Sequence, residues 1–104
     1  MLDTMQGKPA VGVTVIVYHQ QRNNWEEVVR SVTDANGRIV DWLNEKALLP
    51  GIYKIVFETG AYFERAAITT FYPVVEVIVA IADEKHYHVP LLLSPFGYST
   101  YRGS

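Results

Sequence analysis

Two histidines that stand two positions apart, His86 and His88, have a type and spacing that suit metal binding or proton transfer. Alternate side chains of a β-strand point to the same face, so both imidazoles would project from one side of a sheet. The pattern alone leaves two interpretations open: a metal site completed by His19, or surface histidines without a role. The sequence has no cysteine and sets no carboxylate at a fixed spacing from the pair, which weakens the metal interpretation.

The last four residues, Tyr101-Arg102-Gly103-Ser104, place a phenol, a guanidinium and a hydroxyl beside the terminal carboxylate. Chain ends are usually disordered unless they are tied down. This end is strand-like to its last residue, so we expect it to be held in a sheet. On a flat strand Tyr101 and Arg102 point to opposite faces. Either the chain bends at Gly103, or one of the two side chains belongs to a neighbouring subunit's site.

A third candidate, Arg38, follows the Asn36-Gly37 turn signal and opens the next predicted strand. A side chain at such a place can leave the scaffold at its rim. On pattern alone, a solvated charge after a turn is the ordinary interpretation of this arginine.

The elements that must position these residues are predicted by an alternation of apolar and polar side chains. Short β-branched runs with period two indicate strands with one face in a core. Several short strands at regular spacing are typical of a sandwich or barrel. The predicted strands cover residues 11–18, 26–33, 51–58, 74–81 and two runs within 86–104, joined at 94–97.

Residues 59–67 interrupt this alternation. They set Tyr62 with Ala66 and Phe63 with Ala67 at a spacing of four, which predicts one short helix before Pro73. Residues 43–49 fit either a helical turn or a surface loop.

Length and composition predict one domain over residues 1–104, with a core that needs no metal or disulfide. A net charge of −2 gives no concentrated positive surface, so neither nucleic acid nor an anionic membrane is an expected partner. No apolar run approaches the roughly 20 residues that span a bilayer, and no leader opens the chain. We therefore expect a cytoplasmic protein, or a periplasmic one if a leader was removed.

The block from His86 to Ser104, with Gly7-Lys8-Pro9-Ala10 and Asp34-Ala35-Asn36-Gly37-Arg38, resembles the transthyretin-like 5-hydroxyisourate hydrolases. The resemblance runs in order along nearly the whole chain. It implies an all-β, prealbumin-like sandwich of two four-stranded sheets with one short helix. It also implies a homotetramer, a dimer of dimers, with sites at the subunit interface.

The activity that this resemblance implies is opening of the 5-hydroxyisourate ring to 2-oxo-4-hydroxy-4-carboxy-5-ureidoimidazoline in urate degradation, without a cofactor. His88 would be the catalytic base that activates water, because a neutral imidazole accepts a proton near pH 7. Arg38 would clamp the substrate and stabilise developing oxyanion charge. Tyr101 would contact the substrate and Arg102 would bind the anion or hold the carboxylate. Ser104 would orient water or donate to the oxyanion.

One departure concerns a second catalytic histidine, which the family carries just before the segment that ends in Leu-Asp-Thr. Here that segment reads Met1-Leu2-Asp3-Thr4 and contains no histidine. Either the residue lies upstream of a truncated chain, or it has been lost, and loss of a general acid or base costs about 10²–10⁴-fold in rate. A transthyretin-like carrier of a hormone-type ligand and a generic β-sandwich module are the alternative functions.

Overall fold

The computed structural model describes residues 1–39, 49–82 and 88–103 and folds them into two four-stranded sheets and one short helix. This is the sandwich that the sequence predicts. The elements are β1 (Leu2–Asp3), β2 (Lys8–Pro9), β3 (Thr14–Gln20), β4 (Trp25–Val32), β5 (Gly51–Phe57), α1 (Thr59–Arg65), β6 (Val75–Ile81), β7 (Leu91–Ser94) and β8 (Gly97–Thr100). The first sheet has the order β2-β1-β7-β8 and the second the order β4-β3-β5-β6. Helix α1 joins β5 to β6.

The core is formed by the inward-facing residues of both sheets and one face of α1. Strand alternation selects them, because every second side chain of a strand faces the opposite sheet. Phe63 is fully buried and attaches the helix to this core. The buried cluster consists of Ala10, Val13, Val15, Val17, Tyr53, Ile55, Phe57, Phe63, Val75, Ile81, Leu91 and Leu93.

Strand β3 begins three residues later and helix α1 ends two residues earlier than the sequence predicts, each close to a residue with positive φ. Strand β3 begins at Thr14 rather than at residue 11, because Gly12 has a φ of 79°, which an extended strand does not allow. Val11 is therefore 49% exposed instead of facing the core. Helix α1 ends at Arg65, and Ala67 follows with a φ of 57°. The helical turn considered for residues 43–49 lies almost wholly outside the described residues.

A buried carboxylate ties the first sheet to the helix. Asp3 is fully buried in β1 and accepts hydrogen bonds from the Tyr62 hydroxyl at 2.7 Å, the Gln6 backbone at 3.1 Å and the Gln6 side chain at 3.0 Å. Next along the chain, the Thr4 hydroxyl donates to the Leu93 carbonyl at 3.0 Å. These bonds fix β1 against both β7 and α1.

Candidate functional site

Three chain segments meet at one end of the first sheet, and two of them adjoin predicted site residues. Strand β1 runs parallel to β7, with Leu2 opposite Leu92, and β7 runs antiparallel to β8, with Leu91 opposite Thr100. The start of β1, the start of β7 and the end of β8 therefore lie together. His88 precedes β7, and the C-terminal residues follow β8, at this same end.

His88 is joined to the C-terminus by an antiparallel β-bridge to Gly103. The Gly103 N–H donates to the His88 carbonyl at 2.7 Å. The bridge continues the register of β7 and β8, so the segments between them contain no insertion. The His88 side chain is exposed and available to a ligand. The prediction that the chain end is tied into the sheet is confirmed as far as Gly103.

Tyr101 and Arg102 lie between β8 and this bridge, and both are exposed. Regular pairing ends at Thr100, and the bridge from Gly103 to His88 resumes the same register three residues later. Ser104 and His86, the other predicted residues of this block, lie outside the described residues.

Arg38 closes a turn that is organised by one carboxylate. Asp34 Oδ1 accepts from the backbone N–H groups of Asn36 at 2.8 Å and Arg38 at 3.0 Å, and these two bonds lower the pKa of Asp34. The Asp34 N–H in turn donates to the Arg38 carbonyl at 2.8 Å. Gly37 supplies the positive φ of 70° that the turn requires, as the Asn-Gly signal indicates. The Arg38 side chain is exposed, and the strand that Arg38 was predicted to open would run into residues 40–48, outside the described residues.

The Arg38 turn is attached to the start of β1. The Met1 nitrogen donates to the Gly37 carbonyl at 2.6 Å, and the Met1 carbonyl accepts from the Ala10 N–H at 3.1 Å. A side chain at Gly37 would overlap the Met1 carbonyl oxygen. Burial lowers the pKa of the Met1 amino group, and the nearby positive charge of Arg38 lowers it further. The structure thus places Arg38 at the same end of the sheet as His88.

His19, the third ligand of the metal interpretation, lies in the other sheet. Its ring stacks on Tyr53 with centroids 4.6 Å apart, and its Nδ1 is 3.2 Å from the Gln21 amide nitrogen. Within residues 1–39, 49–82 and 88–103, no three histidine, aspartate or glutamate side chains are grouped as metal ligands.

An open depression of about 490 Å³ lies elsewhere, beside α1 and the loop that follows it. The Thr70 hydroxyl donates to the Pro95 carbonyl at 2.6 Å, which ties this loop to the β7–β8 turn, the opposite end of the first sheet from His88. None of the predicted site residues lines it. Its lining is Gly60, Ala61, Glu64, Ala67, Ile68, Thr69, Thr70 and Pro73.

Two glycines that shape the site could not be identified as site residues from the sequence. Gly103 contacts the His88 ring across a gap of fifteen positions, and no local pattern reports such a contact. Gly37 is signalled as a turn residue by Asn36-Gly37, but its contact with Met1 is visible only in the fold.

Chemically, the assembled end of the sheet offers one imidazole, two guanidinium groups and a phenol on an open surface. That set suits binding and proton transfer on a small anion.

Known proteins resemble this chain in both sequence and fold. The family model described as HIUase/Transthyretin matches residues 1–103. The 5-hydroxyisourate hydrolase of Salmonella dublin is 48% identical over 105 residues, covering 100% of this chain and 77% of the relative. The structure of Klebsiella pneumoniae 5-hydroxyisourate hydrolase superposes with a TM-score of 0.88 at 38% identity, covering 99% of this chain and 93% of that one. Sea bream transthyretin in complex with thyroxine superposes with a TM-score of 0.90 at 35% identity, covering 98% and 89%. No helix in the described part of the chain is long and apolar enough to cross a membrane.

Proposed function

Because this chain belongs to the HIUase/Transthyretin family, we propose that it is a hydrolase that opens the ring of 5-hydroxyisourate in urate degradation. Relatives with that activity in their names come from bacteria, a nematode, a yeast and the mouse, at 40–48% identity over the full chain. The observation that carries the proposal is the meeting of His88, Arg38 and the Tyr101-Arg102 segment at one end of one sheet.

The proposed mechanism uses water as the nucleophile. His88 takes a proton from water as the water oxygen attacks a ring carbonyl carbon of the substrate. The protonated imidazole then gives this proton to the ring nitrogen as the carbon–nitrogen bond breaks, which opens the ring and leaves His88 neutral. Arg38 holds the polar, anionic substrate and stabilises the oxyanion that develops on the attacked carbonyl. Arg102 binds the same anion, Tyr101 contacts the substrate ring, and Ser104 donates to the oxyanion or orients the water. No cofactor enters these steps.

The register of the first sheet indicates where a histidine upstream of Leu-Asp-Thr, as the family carries it, would lie. Because Leu2 lies opposite Leu92 in a parallel pair, a residue added before Met1 and extending β1 would lie alongside Pro90. It would enter between the Arg38 turn, which Met1 contacts, and His88. A histidine there would complete a two-histidine site.

The alternative function is a carrier of a hormone-type ligand, and the fold does not separate the two. Superposition gives nearly the same TM-score for a hydrolase and for a thyroxine-binding transthyretin. The side chains do separate them, since a site for an apolar aromatic ligand is lined mainly by apolar groups. His88, Arg38 and Arg102 make this end of the sheet polar and cationic instead. Tight binding of thyroxine without any effect on 5-hydroxyisourate decay would favour the carrier.

We further propose that the protein is cytoplasmic, has a single domain and assembles as a dimer of dimers, with its sites where subunits meet. The supporting observation is that Arg38, His88, Tyr101 and Arg102 are all exposed on an open surface of the single chain. A groove that excludes water from them would need a second chain, and closed symmetric assemblies are the norm for homo-oligomers. Sedimentation that finds a fully active monomer would refute the interface site.

The test generates 5-hydroxyisourate from urate in situ and follows its decay. The chain as given is compared with His88→Ala and with a version that carries a histidine before Met1. We expect His88→Ala to lower the rate about 10²–10⁴-fold, and the added histidine to raise it. His19→Ala is the matched control, since His19 lies in the second sheet and should leave the rate unchanged. Decay no faster than the spontaneous reaction with both the given and the histidine-extended chain would end the enzyme proposal.

A further inference from the structure

The His88 imidazole lies across the α-carbon of Gly103, on the side where a side chain would project. A Cβ built on Gly103 would lie 2.8 Å from His88 Cγ and 3.0 Å from His88 Cβ, and would overlap Nδ1. Contacts of 3.0 Å or less to a ring cannot be relieved without moving that ring. The backbone bridge from the Gly103 N–H to the His88 carbonyl, at 2.7 Å, holds the two residues at this separation.

The backbone conformation at position 103 does not itself require a glycine. Its φ lies outside the left-handed region that favours glycine, whereas Gly37 has a φ of 70°. An L-residue is therefore allowed by the backbone at position 103, and the obstacle is the neighbouring ring. Gly97, in the same strand pair, shows the contrast, because a Cβ there would meet only the Ser94 hydroxyl at an ordinary 3.7 Å.

We propose that Gly103 is a positioning residue for His88, which sets the orientation of the catalytic imidazole by having no side chain. This inference rests on the proposed hydrolase function. Nδ1 lies on the side of the ring that faces the space next to the Gly103 α-carbon, so we assign the exchange of a proton with water to the opposite nitrogen, Nε2. The C-terminal glycine thus couples the end of the chain to the base that precedes β7.

Gly103→Ala tests this through the rate. A methyl group at position 103 displaces the ring by about 1 Å, and misplacement of a reacting group by that amount can cost about 10²-fold. We expect kcat to fall about 100-fold while KM stays within about twofold, because the guanidinium groups that bind the anion are untouched. Gly97→Ala, with open space for its methyl group, is the matched control and should keep both constants. Equal kinetics for the parent chain and Gly103→Ala would overturn the proposal.

Two further measurements do not depend on turnover. The chain has three histidines, so the His88 ring signals can be assigned by NMR with His88→Ala. In Gly103→Ala these signals should shift while those of His19 stay in place. Gly103→Ala should also lower the melting temperature, because its methyl group overlaps the ring. The double variant with His88→Ala should recover the melting temperature of His88→Ala alone, because the overlapping ring is then absent.

These outcomes separate the two proposals. If neither the parent chain nor the histidine-extended chain accelerates 5-hydroxyisourate decay, but the ring signals move and the double variant regains its melting temperature, the packing of Gly103 on His88 stands and the hydrolase function fails. If the parent chain is active and Gly103→Ala changes neither rate nor ring signals, the positioning role is wrong. A melting temperature that stays low in the double variant likewise contradicts an action through His88.

Discussion

Replacing Tyr62 with phenylalanine removes one hydrogen bond from a fully buried carboxylate and should lower the free energy of unfolding by about 2 kcal/mol. The lost bond runs from the Tyr62 hydroxyl to Asp3 at 2.7 Å. A hydrogen bond to a charged group contributes about 1.5–3 kcal/mol. The lower half of that range applies, because Gln6 still donates to both carboxylate oxygens, at 3.1 and 3.0 Å. The ring itself is kept, with its edge-to-face contact with Phe63 at 5.2 Å.

The same hydroxyl gives the prediction a pH dependence. Burial and the Asp3 carboxylate raise the pKa of Tyr62 to about 12, whereas a tyrosine in the unfolded chain ionises near pH 10. The folded state then holds this proton more tightly than the unfolded state. Its stabilising contribution is fully present below about pH 10 and is lost as the pH rises through about 12. The stability difference between the parent chain and Tyr62→Phe should therefore shrink between pH 10 and 12.

The assay is urea unfolding followed by tryptophan fluorescence at pH 7 and at pH 11, with protein concentration held constant because an oligomer gains stability by mass action. Tyr98→Phe is the control, since Tyr98 is 43% exposed and its ring packs against Tyr72 without a buried acceptor. It should stay within about 0.5 kcal/mol of the parent. Equal stability of Tyr62→Phe and Tyr98→Phe at pH 7 would refute the view that Asp3 depends on this hydroxyl.

Three other substitutions have expected outcomes. Arg38→Ala should lower kcat/KM about 10- to 100-fold by removing a charged hydrogen-bond donor from the anion, with an unchanged melting temperature because the side chain is exposed; a normal kcat/KM contradicts its role. Phe63→Ala should cost about 3–5 kcal/mol in urea unfolding, since the ring is fully buried, and a loss below about 1 kcal/mol would mean that the helix is not anchored there. Thr33→Val should lower the free energy of unfolding by about 1–3 kcal/mol, because the buried hydroxyl donates to the Ala10 carbonyl at 2.8 Å and accepts from the Val13 N–H at 2.9 Å. Calorimetry that shows an unchanged stability would argue that these backbone groups find other partners.

Much of the fold was predictable because alternation is a local property. The strands β4, β5 and β6 fall within one residue of their predicted bounds, and α1 begins where the predicted helix begins. The start of β3 was not predictable from alternation, since Val11 continues the apolar pattern although Gly12 breaks the strand geometry. The gap in pairing between Thr100 and Gly103 was not predicted either, since strand parity offered only a bend at Gly103 or a neighbouring subunit's site. Strand pairing there depends on what the opposite chain offers, and Pro90 at that level has no N–H to donate.

The family resemblance supplied the set of candidate site residues but not their arrangement. No sequence pattern groups Arg38 with His88, which are fifty positions apart. The structure brings them to one end of a sheet through a parallel pairing of β1 with β7 and through the contact of Met1 with Gly37. It also shows that Gly103 accommodates the His88 ring, a role that no spacing rule reveals.

By itself, therefore, the sequence determined approximately where strands β3 to β8 and the single predicted helix lie, and most of the side chains that face the core. Each of these follows from the period of apolar residues over a few positions. Only the tertiary structure decided which strand ends meet, which side chains share a surface and which glycine leaves room for an imidazole. Those features depend on the register between strands that are remote in the chain, and register is set by packing of the whole sandwich.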